Sequence, residues 1–236
     1  MRGREAKRIG LAIVGAGRVG LFRGEVAMRH PQVGWIGIAE KNPERAKLVA
    51  EKLKADFVTA DHRELLRRPE TNAVIVSTDE HLHVDPILAA VERGHPLLIE
   101  KPLATELADS ARVLKAIESA GVDAVVGYTQ RFRRRWLAAK EKVSTGALGD
   151  VTLVTSRAFM NRLVAIDNYR RTDKPETISP MVISGTHALD IVMWMMEAKT
   201  PVECYARSVD KVLGPEWKGI DATAGLITFS DGSIYP

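Results

Sequence analysis

Residues 9–20 read IGLAIVGAGRVG, an apolar run through Ile9, Leu11, Ile13 and Val14 followed at once by Gly15, Gly17 and Gly20. Glycines at that spacing serve either a tight turn between a buried strand and a helix or a phosphate cradle. The second use has a definite chemistry. The first glycine permits the turn, the second lets a pyrophosphate approach the backbone, and the third lets helix and strand pack closely. The anion then meets the N-terminus of the helix, whose free N–H groups and dipole favour negative charge. An acid at the end of the second strand completes the signature, and Glu40 stands there, twenty residues after Gly20. Its carboxylate suits the hydroxyls of an adenosine ribose and repels a 2′-phosphate, so NAD is expected over NADP. Lys41, next to it, works the other way, as a cation able to tolerate the phosphate.

Three further stretches carry groups that do chemistry. LLIEKPLA (97–104) sets Glu100, Lys101 and Pro102 at the carboxyl end of a strand, the edge where open α/β sheets bind ligands. By itself such a lysine is equally a solvated loop residue. DEHLHVD (79–85) holds His81 and His83 between Asp79 and Asp85. A metal there needs three or four converging ligands and would leave the glycine loop unexplained, so no metal is expected. RFRRRW (131–136) is the densest basic cluster. Phe132 and Trp136 lie four apart, which suits stacked bases and equally suits a helix burying one edge while its arginines face water. The second use is expected, and no nucleic-acid partner with it.

These groups need elements to hold them. Through residue 128 the sequence alternates short apolar runs with amphipathic helices. Strands are expected at 9–14, 33–40, 72–78, 96–100 and 123–128. Helices are expected at 18–29, from Pro43 with Asn42 as N-cap, at 85–94 closed by Gly94, and at 106–121. That is the pattern of a parallel sheet covered on both faces. The pattern then changes. A helix is expected from Arg131 to near Gly146 and another over 188–199. Strands are expected at 151–160, 201–210 and 222–235, the last folded by an Asp-Gly turn. A dinucleotide-binding domain over 1–128 and an α+β domain with a mainly antiparallel sheet over 129–236 follow.

At 236 residues the chain is long enough for two such cores, and Lys+Arg exceeds Asp+Glu only by 34 to 30, a balance that fits an anionic ligand. One cysteine, Cys204, precludes an intrachain disulfide, and a reducing cytoplasm is expected. The basic stretch before Ile9 leads into a short, glycine-broken apolar run, expected to be the first strand and not a signal peptide. No apolar stretch reaches the ~18 residues of a membrane span.

Several segments together resemble the Gfo/Idh/MocA oxidoreductases, the family of glucose–fructose oxidoreductase and inositol dehydrogenase. They are GAGRVG, the acid-ending second strand with NPERA, HVDPILAAVERGHPLLIEKPLA, VVGYTQRF, TGALGDV, GTHALDIVMWM and GIDATAGLITFSDGSI, in family order across nearly the whole chain. The resemblance implies a Rossmann domain followed by a sheet domain, and a hydride passed between a secondary hydroxyl of a sugar, cyclitol or related polyol and NAD or NADP. It implies Lys101 beside the reacting hydroxyl and His187, with Asp190 three residues on, as the acid/base. Imidazole titrates near working pH, and an ammonium steadies an alkoxide. Gly15, Gly17, Arg18, Val19, Gly20, Glu40, Lys41, Ser77, Thr78, His83, Glu100 and Lys101 would meet the cofactor. Lys101, Tyr128, Arg131, Ile183 and His187 would meet the substrate. His83 remains equally a first-turn helix residue, and Tyr128 equally core. Trp194 and Met193, Met195 and Met196 are expected to pack.

The sequence also departs from the family. Its aspartate four residues before the histidine is Ile183 here, so that Ile183→Asp is expected to raise activity if the site needs that acid. Asp79 replaces a frequent proline. Relatives carry further sheet strands, so the second sheet is expected to be incomplete. A homodimer or homotetramer joined through the second domain is expected, and the alternative function is a dinucleotide-binding sensor or regulator without turnover.

Overall fold

A computed structural model describes residues 8–172 and 174–236. Residues 1–7, the basic start of the chain, and residue 173 lie outside the described residues. The chain forms two compact units, Met1–Gly127 and Tyr128–Pro236.

The first unit alternates strand and helix: β1 (Ile9–Val14), α1 (Arg18–Ala27), β2 (Val33–Ala39), α2 (Pro43–Leu53), β3 (Phe57–Thr59), α3 (His62–Leu66), β4 (Ala73–Val76), α4 (Val84–Glu92), β5 (Leu97–Ile99), α5 (Leu107–Ala120) and β6 (Ala124–Val126). The six strands pair in parallel in the order β3-β2-β1-β4-β5-β6, the doubly wound arrangement of a Rossmann sheet. Both faces are covered, which is why the strands read as unbroken apolar runs. Successive residues of β1 serve opposite cores. Ala12 and Val14 join Val74, Val76, Ile87 and Val113 on one face, while Leu11 and Ile13 join Ile36, Ile38, Val49 and Leu53 on the other.

Local chemistry sets the helix ends as expected. The Asn42 side chain accepts the Arg45 N–H (2.9 Å) with Pro43 in the first turn, and α5 stops at Gly121 in the left-handed region, φ +62°. The pair β3 and α3 has no counterpart among the expected elements. Three residues are too few for a period to register, although Asp61 caps α3 by accepting the Arg63 N–H (2.8 Å).

The second unit holds α6 (Arg134–Ser144), α7 (Arg162–Arg171), α8 (Thr186–Met195), β7 (Pro201–Val209), α9 (Gly214–Trp217), β8 (Ala222–Phe229) and β9 (Ile234–Tyr235). Its three strands form an antiparallel sheet β7-β8-β9, folded at Asp231-Gly232, where Gly232 has φ +84°. Two small cores accompany it, one around Tyr169, Ile178 and Leu213, the other around Val192, Met196 and Phe229.

Two expectations fail here. Residues 151–160 are not a strand: they make a single bridge, Leu153 to Ile234, because the neighbouring β9 offers only two residues to pair with. Alternation in sequence makes a strand only beside a hydrogen-bonding partner. The helix expected from Arg131 starts instead at Arg134. Residues 129–132 form a tight 3₁₀ turn and Arg133 is extended (φ −83°, ψ 133°), so Phe132 is off the helix and exposed. Among the described residues no helix is long and apolar enough to cross a membrane.

Candidate functional site

In the first unit the loops after β1, β2, β4 and β5 all leave the same sheet edge, because the strands are parallel. Gly15 turns the chain at φ +86°, and a Cβ on it would lie 2.6 Å from the Thr78 nitrogen. Gly20, in the first turn of α1, packs so closely that a Cβ would lie 2.2 Å from the Gly15 carbonyl oxygen and 2.7 Å from Ser77 Oγ. Ser77 Oγ donates to that same carbonyl (2.7 Å), tying the turn to the end of β4. Two of the three glycines are therefore demanded by the protein itself.

Gly17 is different. Its φ of −66° suits any residue, and a Cβ there would meet nothing within 4 Å. The open space lies at the N-terminus of α1, where Gly17 provides no side-chain cap and the first turn carries no acid. Open space at a helix N-terminus whose first turn carries no acid fits the pyrophosphate of a dinucleotide. Arg18 and Val19, the next two residues, are exposed beside it.

Glu40 ends β2 and turns its carboxylate back toward this loop. Oε2 accepts the Ala16 N–H (2.9 Å), Oε1 accepts the Asn42 N–H (2.9 Å), and Arg45 Nη1 stands 3.6 Å from Oε2. An open groove of about 400 Å³ runs alongside, lined by Glu40, Lys41, Lys47, Ala46, Ala50 and Val58 among others.

His83 is the residue that leads into α4, close to the first-turn position the sequence allowed. It is buried, with Nδ1 2.7 Å from the Pro102 carbonyl oxygen and Nε2 3.2 Å from that of Thr78. Both ring nitrogens therefore face carbonyl oxygens, which only an imidazole N–H can satisfy. Burial pushes its pKa below the ordinary histidine value. The ring thus links the loop after β4 to the loop that carries Lys101. Asp85 is committed elsewhere, to His62 (3.0 Å) and Arg63. Glu100 has a partner the sequence did not indicate: Arg23 of α1 donates to its Oε1 from Nε (2.8 Å) and Nη2 (2.5 Å). A Cβ on Gly127 would crowd this pair at 3.1 Å, so β6 ends in a glycine beneath it.

In the second unit a single turn of π-helix, Met181–Gly185, leads into α8. His187 lies in the first turn of α8, with the Tyr128 ring edge-on to it (centroids 6.1 Å apart, planes at 83°). The Tyr128 hydroxyl is 3.1 Å from Thr186 Oγ1. Arg131, expected at substrate, forks onto the buried Asp190 through Nε (2.9 Å) and Nη2 (2.6 Å), while its guanidinium lies 5.4 Å from the Trp194 ring centre. The Asp190 carboxylate holds the Arg131 pKa above its ordinary value. Ile183, also expected at substrate, has its side chain in the core with Ala165, Tyr169, Ile178 and Leu213. Met195 and Met196 are buried, as packing residues should be.

Residues 9–128 match an oxidoreductase family with an NAD-binding Rossmann fold, and residues 136–235 match the GFO/IDH/MocA C-terminal domain. The chain is 31% identical over 216 residues to the inositol 2-dehydrogenase of Rubrobacter xylanophilus, covering 89% of this chain and 58% of that one. It is 29% identical over 196 residues to the inositol 2-dehydrogenase of Gluconacetobacter diazotrophicus, covering 81% and 55%. It therefore spans little more than half the length of these curated relatives. The scyllo-inositol dehydrogenase of Lactobacillus casei, solved with NAD(H) and scyllo-inositol, shares the fold with a TM-score of 0.86 at 18% identity, over 97% of this chain and 68% of that one. With both of its units matched by the family's two domains, the chain belongs to the Gfo/Idh/MocA oxidoreductase family.

Proposed function

We propose that the protein is an NAD(P)-dependent oxidoreductase moving a hydride between nicotinamide and a secondary hydroxyl of a cyclitol, sugar or related polyol. The observation that carries this reading is the cradle at Gly17, open to a pyrophosphate on the same sheet edge that presents the loop of Lys101. The inositol dehydrogenases among its relatives supply the substrate class. Bound nicotinamide supplies the two-electron acceptor. The chain's own groups do the proton work: His187 takes the hydroxyl proton on an imidazole nitrogen, and the Lys101 ammonium steadies the developing alkoxide. Tyr128 sets one edge of the His187 ring, and Arg131 anchors Asp190 one turn along the same helix. Glu40 favours NAD, while Lys41 and Lys47 in the adjoining groove support acceptance of NADP.

The test is NADH absorbance during incubation with a panel of polyols and sugar acids. His187→Ala should lower kcat by about 10²–10⁴-fold with NAD affinity nearly unchanged, and Lys101→Ala should be at least as harmful. Full turnover by the double alanine variant would refute the mechanism. A second reading, dinucleotide binding without turnover, is favoured by Ile183 in place of the family's aspartate; NAD binding with no polyol oxidised selects it. We also propose a cytoplasmic homo-oligomer joined through the second unit, since β7 is exposed along all nine residues, including Val202 and Tyr205. Light scattering should then exceed the 26.0 kDa of one chain, and a monomer mass would count against it.

A further inference from the structure

We propose that Glu40 is the brace of the glycine loop, so that the side chain expected to read the ribose also fixes the backbone expected to hold the phosphates. The inference rests on the dinucleotide reading above and departs from the simple view of Glu40 as a charge that excludes a 2′-phosphate.

Gly15 is held on both sides, its N–H donating to the Ala39 carbonyl (2.9 Å) and its carbonyl accepting from Ser77 Oγ (2.7 Å). The next residue, Ala16, has its methyl group in the core and its N–H on Glu40 Oε2 at 2.9 Å. That N–H and the Gly15 carbonyl belong to one peptide unit, so Glu40 and Ser77 together hold both polar groups of the plane that leads through Ala16 to Gly17. The carboxylate is well fixed for this task. Only 8% of the Glu40 side chain is exposed, its other oxygen accepts the Asn42 N–H, and its own backbone N–H donates to the Thr59 carbonyl (3.0 Å). Hydrogen bonds from N–H groups to an ionised carboxylate are among the stronger ones available, and an orphaned buried N–H is costly.

Charge and brace can be separated by substitution. Glu40→Gln removes the negative charge and leaves one amide oxygen, which accepts the buried Ala16 N–H while the exposed Asn42 N–H turns to water. Glu40→Ala removes both. If Glu40 acted by charge alone, the two variants would gain NADP affinity alike. With a brace they diverge. The experiment uses calorimetric titration of the whole chain with NAD and with NADP, and amide exchange at Ala16 in the nucleotide-free protein. In the glutamine variant, Ala16 should keep nearly its original protection, and NADP should bind about fivefold more tightly as the like charge is lost. In the alanine variant, Ala16 should exchange about tenfold faster, and NADP should bind no more tightly than it does to the unaltered protein. Equal NADP gains in the two variants with Ala16 protected in both would overturn the proposal. Because exchange is read without nucleotide, a chain that binds neither NAD nor NADP would overturn the function proposed above and the specificity half of this inference. The Ala16 result would still decide whether the brace exists.

Discussion

Strand β1 sends Leu11 and Ile13 into one core and Ala12 and Val14 into another, so that four successive side chains are buried. Strand β7, three residues longer, is exposed from Pro201 to Val209. The two units place their candidate site residues by correspondingly different means. In the first, the glycine loop, Glu40 and the Lys101 loop hang from the ends of strands buried on both faces, and side chains reach across to backbone groups to shape them. In the second, His187 is set by side chains on a short turn and a helix: Tyr128 against Thr186 and Arg131 against Asp190. The loops of the first unit are pinned through their backbone by a few side chains, Glu40, Ser77 and His83. In the second unit, side chains hold one another.

The largest effect should follow from putting a side chain inside the glycine loop of the first unit. Gly20→Val would drive a Cβ to 2.2 Å from the Gly15 carbonyl oxygen, an atom fixed by the strand behind it. We expect a loss of about 3 kcal/mol or more and no measurable NAD binding, read by thermal unfolding and calorimetry. A stable variant that still binds would show that the loop gives way more easily than its contacts imply. In the second unit the matching experiment is Ile183→Asp. The family pattern implies a gain in activity from a carboxylate there. The packing predicts the opposite, because the new charge would lie among Ala165, Tyr169, Ile178 and Leu213. A cost of about 2 kcal/mol is expected, with no rise in turnover. Activity gained at undiminished stability would return residue 183 to the substrate.

How much of this was legible in the sequence follows the same division. Strands β1, β2 and β4 and the start of α2 could be read because their causes are local: apolar runs, and an Asn-Pro pair that caps the first turn. Residues 151–160 were misread because their alternation is local while the pairing a strand needs is not. The glycines, Glu40 and Lys101 could be found by spacing, but their partners could not. The Ala16 N–H answers Glu40 across 24 residues, and Arg23 answers Glu100 across 77. Arg131 looked like a cation available to substrate. Its counter-charge, Asp190, is 59 residues away, and no spacing rule joins them. Residue types that do chemistry are visible in a sequence, whereas the pairs that neutralise or orient them are made by the fold.

The smallest effect on stability should come from Gly17→Ala, and it separates fold from ligand most cleanly. With φ −66° and ψ −170°, residue 17 already holds a conformation that alanine adopts without strain. Its Cβ would meet no protein atom within 4 Å, whereas the same atom at Gly15 or Gly20 would strike backbone. The folded state therefore has no reason to resist the substitution. The unfolded chain loses freedom, and replacing such a glycine typically stabilises by about 0.4–1 kcal/mol. The unfolding midpoint should stay level or rise slightly. What the methyl group does occupy is the open space at the N-terminus of α1. If a pyrophosphate lies there, NAD affinity should fall by about tenfold or more, because the N–H groups can no longer close on it. Unfolding and calorimetry on the one variant then answer different questions. Unchanged stability with weakened NAD would mean that the glycine is kept for a ligand. Unchanged stability with unchanged NAD affinity would place the phosphates elsewhere and remove the observation on which the proposed function stands.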